Sequence, residues 1–523
     1  MHRLKSLTLA ALVSLAAASP LTGLAAAGLP STNVAWLAAA ADADIERAFA
    51  KAKAENKPLL LYWGATWCPP CNQLKATLFN RQDFAAQSKA FVAVSIDGDQ
   101  PAAQKLGARF KVSGYPTMVL FTPGGSEITR LPGEADAPQV LALLQAGLAG
   151  GRPIAAVLAD ARAGKALGAN EWRMLSFHSW DIDESGLVDK ADRPAVLAEL
   201  AAKSQAQTPG DSETNTRLWL KAMAASDEGK GLKPDAALRQ RVQRVIADPA
   251  LARTHMDVLI GGATDIVKLL SDEDSAERAP LVAQFEAALT RLQADATLSR
   301  GDRVGALIER VNLARLGQPK EATQPKLPPA LVQEVREVSA QMDREIRDPY
   351  ERMAVIPSVA HLQGAAGLWA DSDALLKANL AKAVSPYYLM SQLGSNAKKL
   401  GKKDEALRWY QQAYDKSEGP ATRLQWGSSY IVALLDLAPG DATRIEKATA
   451  KLFAEAALDK GAFHERSARS LQRVGKKIGT WNADGKHAAT VKRLQAQLDG
   501  VCAKVEAADG QRATCAAVLP RKT

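Results

Sequence analysis

The chain has 523 residues, 47% of them hydrophobic and only 5% aromatic. That length predicts roughly two to four domains at ~150 residues each, and the Ala- and Leu-rich composition favours helix over sheet for most of it. The formal charge of +9 is spread over mixed acidic and basic residues with no basic block interleaved with aromatics, which reads as a solvated surface and not a nucleic-acid site.

Taken from the start, Arg3 and Lys5 precede an apolar run from Leu7 to Ala18, followed by small residues that include Ala25-Ala26-Ala27. This is the layout of a secretory signal peptide, assigned here to residues 1–27, with cleavage after Ala18 as the other candidate. The run is shorter than the ~20 apolar residues a membrane span needs. No cysteine follows it to carry a lipid anchor, and no later run reaches spanning length. The expectation is an exported protein of the periplasm, with no membrane span after cleavage. The four cysteines form two close pairs, Cys68/Cys71 and Cys502/Cys515. An even count in close pairs suits an oxidising compartment.

Residues 42 to 57 read as a helix, and Lys57-Pro58 starts the apolar strand Leu59-Leu60-Leu61-Tyr62-Trp63. Next comes Ala65-Thr66-Trp67-Cys68-Pro69-Pro70-Cys71, then an amphipathic stretch from Asn72. The pattern is strand, tight turn, helix, with Cys68 at the helix N-terminus. First-turn N–H groups and the helix dipole favour negative charge there, so the Cys68 thiol should ionise more readily than a free one. The thiolate is the species that attacks disulfides, and Cys71 lies one turn further in. A strand follows over Phe91 to Asp97, a helix over Ala102 to Phe110, and an apolar strand after Gly114-Tyr115-Pro116-Thr117. Gly124-Gly125 marks a hairpin to Glu127–Leu131, and Ala137 to Leu148 closes with a helix.

This order, with WCxxC opening a helix and x-Pro-Thr before the next strand, resembles the thioredoxin superfamily over about residues 42–149. The segment from Asn56 to Phe79 looks closest to the thioredoxin-like domains of periplasmic thiol–disulfide interchange proteins. The resemblance implies an α/β fold, a redox-active Cys68/Cys71 pair, protein thiols and disulfides as partners, and no cofactor. It also implies that Pro116 is cis and sits beside the cysteines. Tyr115 and Pro116 then shape a groove for an extended substrate peptide, and Trp67 shields the site. One position departs from the family. Its buried aspartate, proton acceptor for the second cysteine, is matched by Tyr62, and its companion lysine is missing near Ala93. Pro69 and Pro70 also remove N–H groups from the turn. The competing readings of Cys68/Cys71 are a structural disulfide or half a metal site. A zinc site needs four ligands, and the other cysteines lie more than 400 residues away, so no metal is expected.

After Gly150-Gly151-Arg152-Pro153 strand patterns nearly vanish, and helical periodicity takes over. The stretch Pro319 to Pro329 is linker-like and divides a helical domain, 150–318, from a second helical region, 330–500. In the second, Leu393-Gly394, Gly401, Ala406, Tyr410 and Ala413 resemble the tetratricopeptide pattern of two antiparallel helices, and Trp426-Gly427 recurs 33 residues after Leu393-Gly394. Gly394 and Ala406 mark the crossing, and Tyr410 packs the second helix. The alternative is an irregular helical array. Stacked pairs of this kind offer a concave surface, hence a possible protein or peptide partner.

Asp181 to Asp192 places oxygen side chains and Gly186 much as a calcium loop does, but ends on the short Asp192. The other reading is an acidic connection in which Asp192 caps a helix beginning near Pro194. In the tail, 501–523, a Cys502–Cys515 disulfide would close a loop of about 14 residues, worth ~3 kcal/mol in the entropy model. The histidines are scattered, and no phosphate-binding or nucleotide fingerprint is present. The expected whole is an α/β thioredoxin-like domain followed by a large all-α, helical-repeat-like region. The expected function is thiol–disulfide exchange. The competing class is a periplasmic binding or scaffold protein in which the first domain serves for docking.

Overall fold

The computed structural model describes residues 33–180, 186–227, 229–507 and 510–519. The signal-peptide assignment lies outside these residues, as do Asp181 to Ser185 of the acidic loop. From the described remainder of that loop, Asp192 precedes the Arg193–Gln207 helix but makes no side-chain cap.

The N-terminal domain is a sheet between two helical layers. In chain order it contains β1 (Leu37–Ala39), α1 (Asp42–Ala54), β2 (Leu59–Gly64), α2 (Pro69–Leu74), α3 (Gln82–Gln87), β3 (Val92–Asp97), α4 (Ala103–Arg109), β4 (Thr117–Phe121), β5 (Glu127–Leu131) and α5 (Ala137–Leu148). The sheet order is β1-β3-β2-β4-β5. β2 pairs in parallel with β3 and antiparallel with β4, which places it centrally. A central strand covered on both faces is apolar throughout, and every residue of β2 is buried. Alternate side chains serve opposite layers. Leu59, Leu61 and Trp63 join the cluster containing Ile45 and Ala48 of α1 and Leu106 of α4. Leu60 and Tyr62 join Leu74 of α2 and Leu143 of α5. The β4–β5 hairpin turns at Gly125, whose φ of +88° suits only glycine.

Two elements escape the sequence reading. β1 is three residues of Leu-Ala-Ala with no β-branched side chain, pairing in the sheet with β3 and burying Ala39 beside Ile45 and Ala48 of α1. α2 runs on into a π-helical turn, Lys75–Phe79, before the short α3.

From Ile154 to Ala516 every helix or strand among the described residues is a helix, apart from one isolated bridge between Asp227 and Lys230. The α2/α5 face of the first domain does not meet solvent. Its core continues without a break into Ile154, Val157, Trp172 and Trp180 of the first helices that follow. The 319–329 stretch folds back on its neighbours, with the Trp369 indole donating to the Thr323 carbonyl at 2.6 Å. Further on, helices stack: Pro386–Lys399 packs on Lys403–Lys416, Pro420–Leu437 on Ala442–Ala456, Glu465–Trp481 on Pro420–Leu437, and Ala488–Cys502 on Ala442–Ala456. A Cβ on Gly394 would stand 3.0 Å from the Tyr410 ring. Gly427, 33 positions on, meets Tyr414 at 2.8 Å in the same way. These glycines let successive helices cross closely. Cys502 and Cys515 form a disulfide that joins the last long helix to the tail.

The helical region also reaches back over the thioredoxin-like domain. Arg253 pairs with Asp136 at 2.7 Å, Gln73 donates to Asp302 at 3.0 Å, and Arg469 donates to the Ser113 carbonyl at 2.7 Å.

Candidate active site

Cys68 is the N-cap of α2, at the end where β2 leaves the sheet. Its sulfur accepts the Cys71 backbone N–H at 3.2 Å, and Pro69 and Pro70 occupy the first helical turn. Cys68 and Cys71 are joined as a disulfide, with Cα atoms 5.2 Å apart. Asn72, fully buried, donates to the Thr66 and Cys68 carbonyls and braces the turn. The Tyr115–Pro116 peptide bond is cis, and the Tyr115 ring lies 5.9 Å from that of Trp67. The structure thus gathers Trp67, Cys68, Cys71, Tyr115 and Pro116 at one end of the sheet. The Cys502–Cys515 pair belongs to the separate C-terminal core.

Tyr62 lies in the apolar interior, edge-on to Phe79 at 4.9 Å. Its hydroxyl has no hydrogen-bond partner, and burial together with the Asp97 charge pushes its ionisation far above the ordinary tyrosine range. It cannot act as a base near neutral pH. Burial lowers the pKa of Lys75, one turn beyond Cys71, while Asp97 pulls it the other way. The Lys75 ammonium sits 5.6 Å from the centre of the Tyr350 ring.

What surrounds this centre is absent from the local sequence. Cys68 is 2% exposed and Cys71 fully buried. The Pro349–Ala365 helix packs on α2. Tyr387 and Met390 of the Pro386–Lys399 helix, Ala413, and Trp426 of the Pro420–Leu437 helix close over the cysteines in one apolar cluster. Trp67 is stacked on Tyr388 at 5.9 Å and meets Trp426 edge-on at 5.2 Å. Arg466, from the Glu465–Trp481 helix, lies 4.4 Å from the Trp67 ring centre and 5.0 Å from that of Tyr115. Such placement of a guanidinium over aromatic faces is attractive and strengthens as water is excluded.

Asp99 ties the layers together. It accepts from the Trp67 indole at 2.7 Å and from the Thr422 hydroxyl at 2.5 Å, with Arg466 3.9 Å away. Burial pushes its carboxyl up to about 6, against the pull of Arg466 and the hydrogen bond from Thr422. Gln104 completes the seam, donating to the Tyr115 hydroxyl at 2.8 Å and accepting the Arg466 backbone N–H at 3.1 Å. Asp99, Tyr388, Thr422, Trp426 and Arg466 were missed from sequence. Asp99 and Thr422 are 323 positions apart, and no motif marks either.

Among the described residues no group of three or more His, Cys, Asp and Glu side chains could hold a metal. The chemistry the arrangement can carry is that of its sulfurs. The arrangement is a disulfide at a helix N-terminus, beside a cis-prolyl bond, under an aromatic cover.

Comparison with known proteins agrees with this geometry. The family model of a thioredoxin-like domain matches residues 45–148. The thiol:disulfide interchange protein DsbD 2 of Pseudomonas aeruginosa is 33% identical over 120 residues, 22% of this chain and 20% of that protein. The thioredoxin-like protein slr0233 of Synechocystis is 32% identical over 89 residues, 17% of this chain and 80% of its own. A solved thioredoxin from Thermus thermophilus aligns over 22% of this chain and 85% of its own, at 27% identity and a TM-score of 0.19. The chain spans only about a fifth of the DsbD relative it matches. Through residues 45–148 the chain belongs to the thioredoxin-like family, and the several hundred residues that follow are a helical addition to that domain.

Proposed function

We propose that this protein is an exported thiol–disulfide oxidoreductase that exchanges disulfides with selected protein partners. The observation that carries the reading is the Cys68–Cys71 disulfide at the N-terminus of α2, in a domain shared with proteins named for thiol:disulfide interchange. In the reducing direction the Cys68 thiolate attacks a partner disulfide. The partner's S–S bond breaks, a Cys68–partner bond forms, and one partner thiolate leaves. Cys71 then attacks the Cys68 sulfur, releasing the second partner thiolate and restoring Cys68–Cys71. Two electrons pass to the partner, whose two thiolates take up the protons released by Cys68 and Cys71. Run backwards, the same steps oxidise a partner dithiol. Tyr115 and Pro116 are assigned to the partner's backbone and Trp67 to shielding the sulfurs. The basic, apolar N-terminal stretch supports export to the periplasm, and no helix among the described residues is long and apolar enough to cross a membrane.

With Cys71→Ser, the mixed disulfide on Cys68 should persist, and covalent partners should be recovered and released by reductant. Cys68→Ser should recover none. Equal recovery from both variants would sink the assignment of Cys68 as attacking sulfur.

The burial of both sulfurs favours a second reading, in which the helical region binds partners and the disulfide is a covered structural element. Partners recovered only noncovalently, through residues 150–523, would support it.

A further inference from the structure

Asp99 lies just beyond β3, on the seam between the thioredoxin-like domain and the helices that cover it. Its side chain is only 12% exposed. Gly419, the residue before the Pro420–Leu437 helix, comes so near that a Cβ there would stand 2.7 Å from the Asp99 Cβ. An acid of the first domain is thus buried by a helix more than 300 positions further along the chain.

The groups that face this carboxyl do not balance a charge on it. Its hydrogen bonds come from neutral donors, the Trp67 indole and the Thr422 hydroxyl. Arg466, on the Glu465–Trp481 helix, stops 3.9 Å away, beyond hydrogen-bonding distance. Asp97, at the end of β3, repels it. Gln104 of α4 is neutral and donates to the Gly98 carbonyl and the Tyr115 hydroxyl. Tyr115, beside the cis-prolyl bond, and Tyr387, on the Pro386–Lys399 helix, are uncharged near neutral pH, because burial raises the ionisation of both. Glu418, next to Gly419, is exposed. An ionised Asp99 has therefore given up water for two neutral hydrogen bonds and one cation out of hydrogen-bonding reach. Opening the seam takes Thr422 and Arg466 away with their helices and lets water replace them. Burial accordingly holds the covered carboxyl at about 6, against the ordinary 3.8.

We propose that Asp99 makes the cover over Cys68–Cys71 a pH-sensitive lid, in which the acid form holds the Pro386–Lys399, Pro420–Leu437 and Glu465–Trp481 helices down and ionisation of Asp99 releases them. The proposal rests on the reading that Cys68–Cys71 exchanges with partners, because both sulfurs are buried and a partner sulfur reaches them only when the lid lifts. The sign follows from linkage. The carboxyl holds its proton more tightly under the lid than in water, so closure is most favoured below the open-state value of about 4 and loses that advantage as pH rises to about 6. Open molecules should increase about 10-fold per pH unit over that interval, about 100-fold in all.

The test measures access to the disulfide in the oxidised full-length protein. An uncharged phosphine, tris(hydroxypropyl)phosphine, attacks one sulfur and breaks the S–S bond. Water then displaces the phosphine as its oxide, leaving two thiols. Opening of Cys68–Cys71 is followed by trapping the thiols and assigning them by mass. Each rate is divided by that for hydroxyethyl disulfide at the same pH, which cancels the titration of the phosphine, and circular dichroism confirms the fold throughout. When the lid recloses faster than the phosphine reacts, the rate tracks the open population. The normalised rate should rise about 100-fold between pH about 4 and about 6 and then level off. Asp99→Asn keeps an acceptor for Trp67 and Thr422 but cannot ionise, and should give a flat profile. Arg466→Gln removes the cation that draws the Asp99 pKa down, and should carry the top of the rise to higher pH. A flat wild-type profile, a rise that survives Asp99→Asn, or a rise that Arg466→Gln leaves in place would overturn the lid while leaving the redox reading standing. A Cys68–Cys71 bond that resists the phosphine at every pH would overturn both.

Discussion

Replacing Trp426 with alanine should raise the rate at which a thiol reagent modifies reduced Cys68 by roughly 30-fold. Trp426 is 4% exposed, anchors the cover by donating its indole N–H to the Tyr387 carbonyl at 3.0 Å, and stands edge-on to Trp67 at 5.2 Å. Truncating a buried tryptophan costs roughly 3–5 kcal/mol. If about 2 kcal/mol of that falls on the contact between helices and domain, the open population rises roughly 30-fold, since 1.4 kcal/mol is a factor of ten. Arg466→Gln should act in the same direction but more weakly. It removes the guanidinium over Trp67 and Tyr115 without opening a cavity. Alkylation rates are measured on the reduced proteins, with circular dichroism to confirm that each variant is folded. Rates equal to wild type in both variants would show that the cover does not limit access to the sulfur.

The second large effect lies in the scaffold. Arg217 and Asp257 are a bidentate pair with both side chains fully buried, and the guanidinium sits 3.6 Å from the centre of the Phe177 ring. Burial works against the Asp257 charge, yet Arg217, with help from Lys221 and His255, holds its pKa down to about 2. Arg217→Met leaves that carboxylate buried and unpaired, and should cost roughly 3–5 kcal/mol. Arg217→Met with Asp257→Leu should recover most of it, because no charge remains stranded. Chemical denaturation of the three proteins decides this, and a single variant as stable as wild type would contradict it. Beside the pair, both ring nitrogens of His255 lack hydrogen-bond partners, and burial together with Arg217 pushes its pKa down to about 4. A base whose folded value lies below its unfolded value must be neutral to fold. Stability should therefore fall as pH drops from about 6.5 to about 4, by about 3 kcal/mol in all. Below about 4, Asp257 adds a further loss as its own pairing is protonated away. His255→Leu should flatten the first of these slopes and leave the second.

The first domain could be read from sequence because its signals are local and dense. The all-apolar Leu59–Trp63 run reports a strand covered on both faces, and Trp67-Cys68-Pro69-Pro70-Cys71 reports the turn and the helix start within five residues. Tyr62 could be read too, as a departure: a phenol where a carboxylate is expected, and the structure finds its hydroxyl unpaired among aromatics. What lay beyond reach was the cover. Tyr388, Thr422, Trp426 and Arg466 come from three helices more than 280 positions after Asp99, each doing ordinary packing by local criteria. Only tertiary folding brings them onto one tryptophan. β1 was missed for the opposite reason, since three residues of low strand propensity form a strand where β3 offers a free edge.

The central claim, that Cys68 and Cys71 form a working redox pair, is tested most directly by equilibrating the full-length protein across a range of thiol–disulfide buffers. Free thiols are then trapped, and each cysteine pair is assigned by mass. One reversible two-electron transition at Cys68–Cys71 is expected, while Cys502–Cys515 stays oxidised throughout, and the midpoint gives the direction of electron flow. A Cys68–Cys71 bond that stays closed at every poise leaving Cys502–Cys515 intact, in wild type and in Trp426→Ala alike, would contradict it.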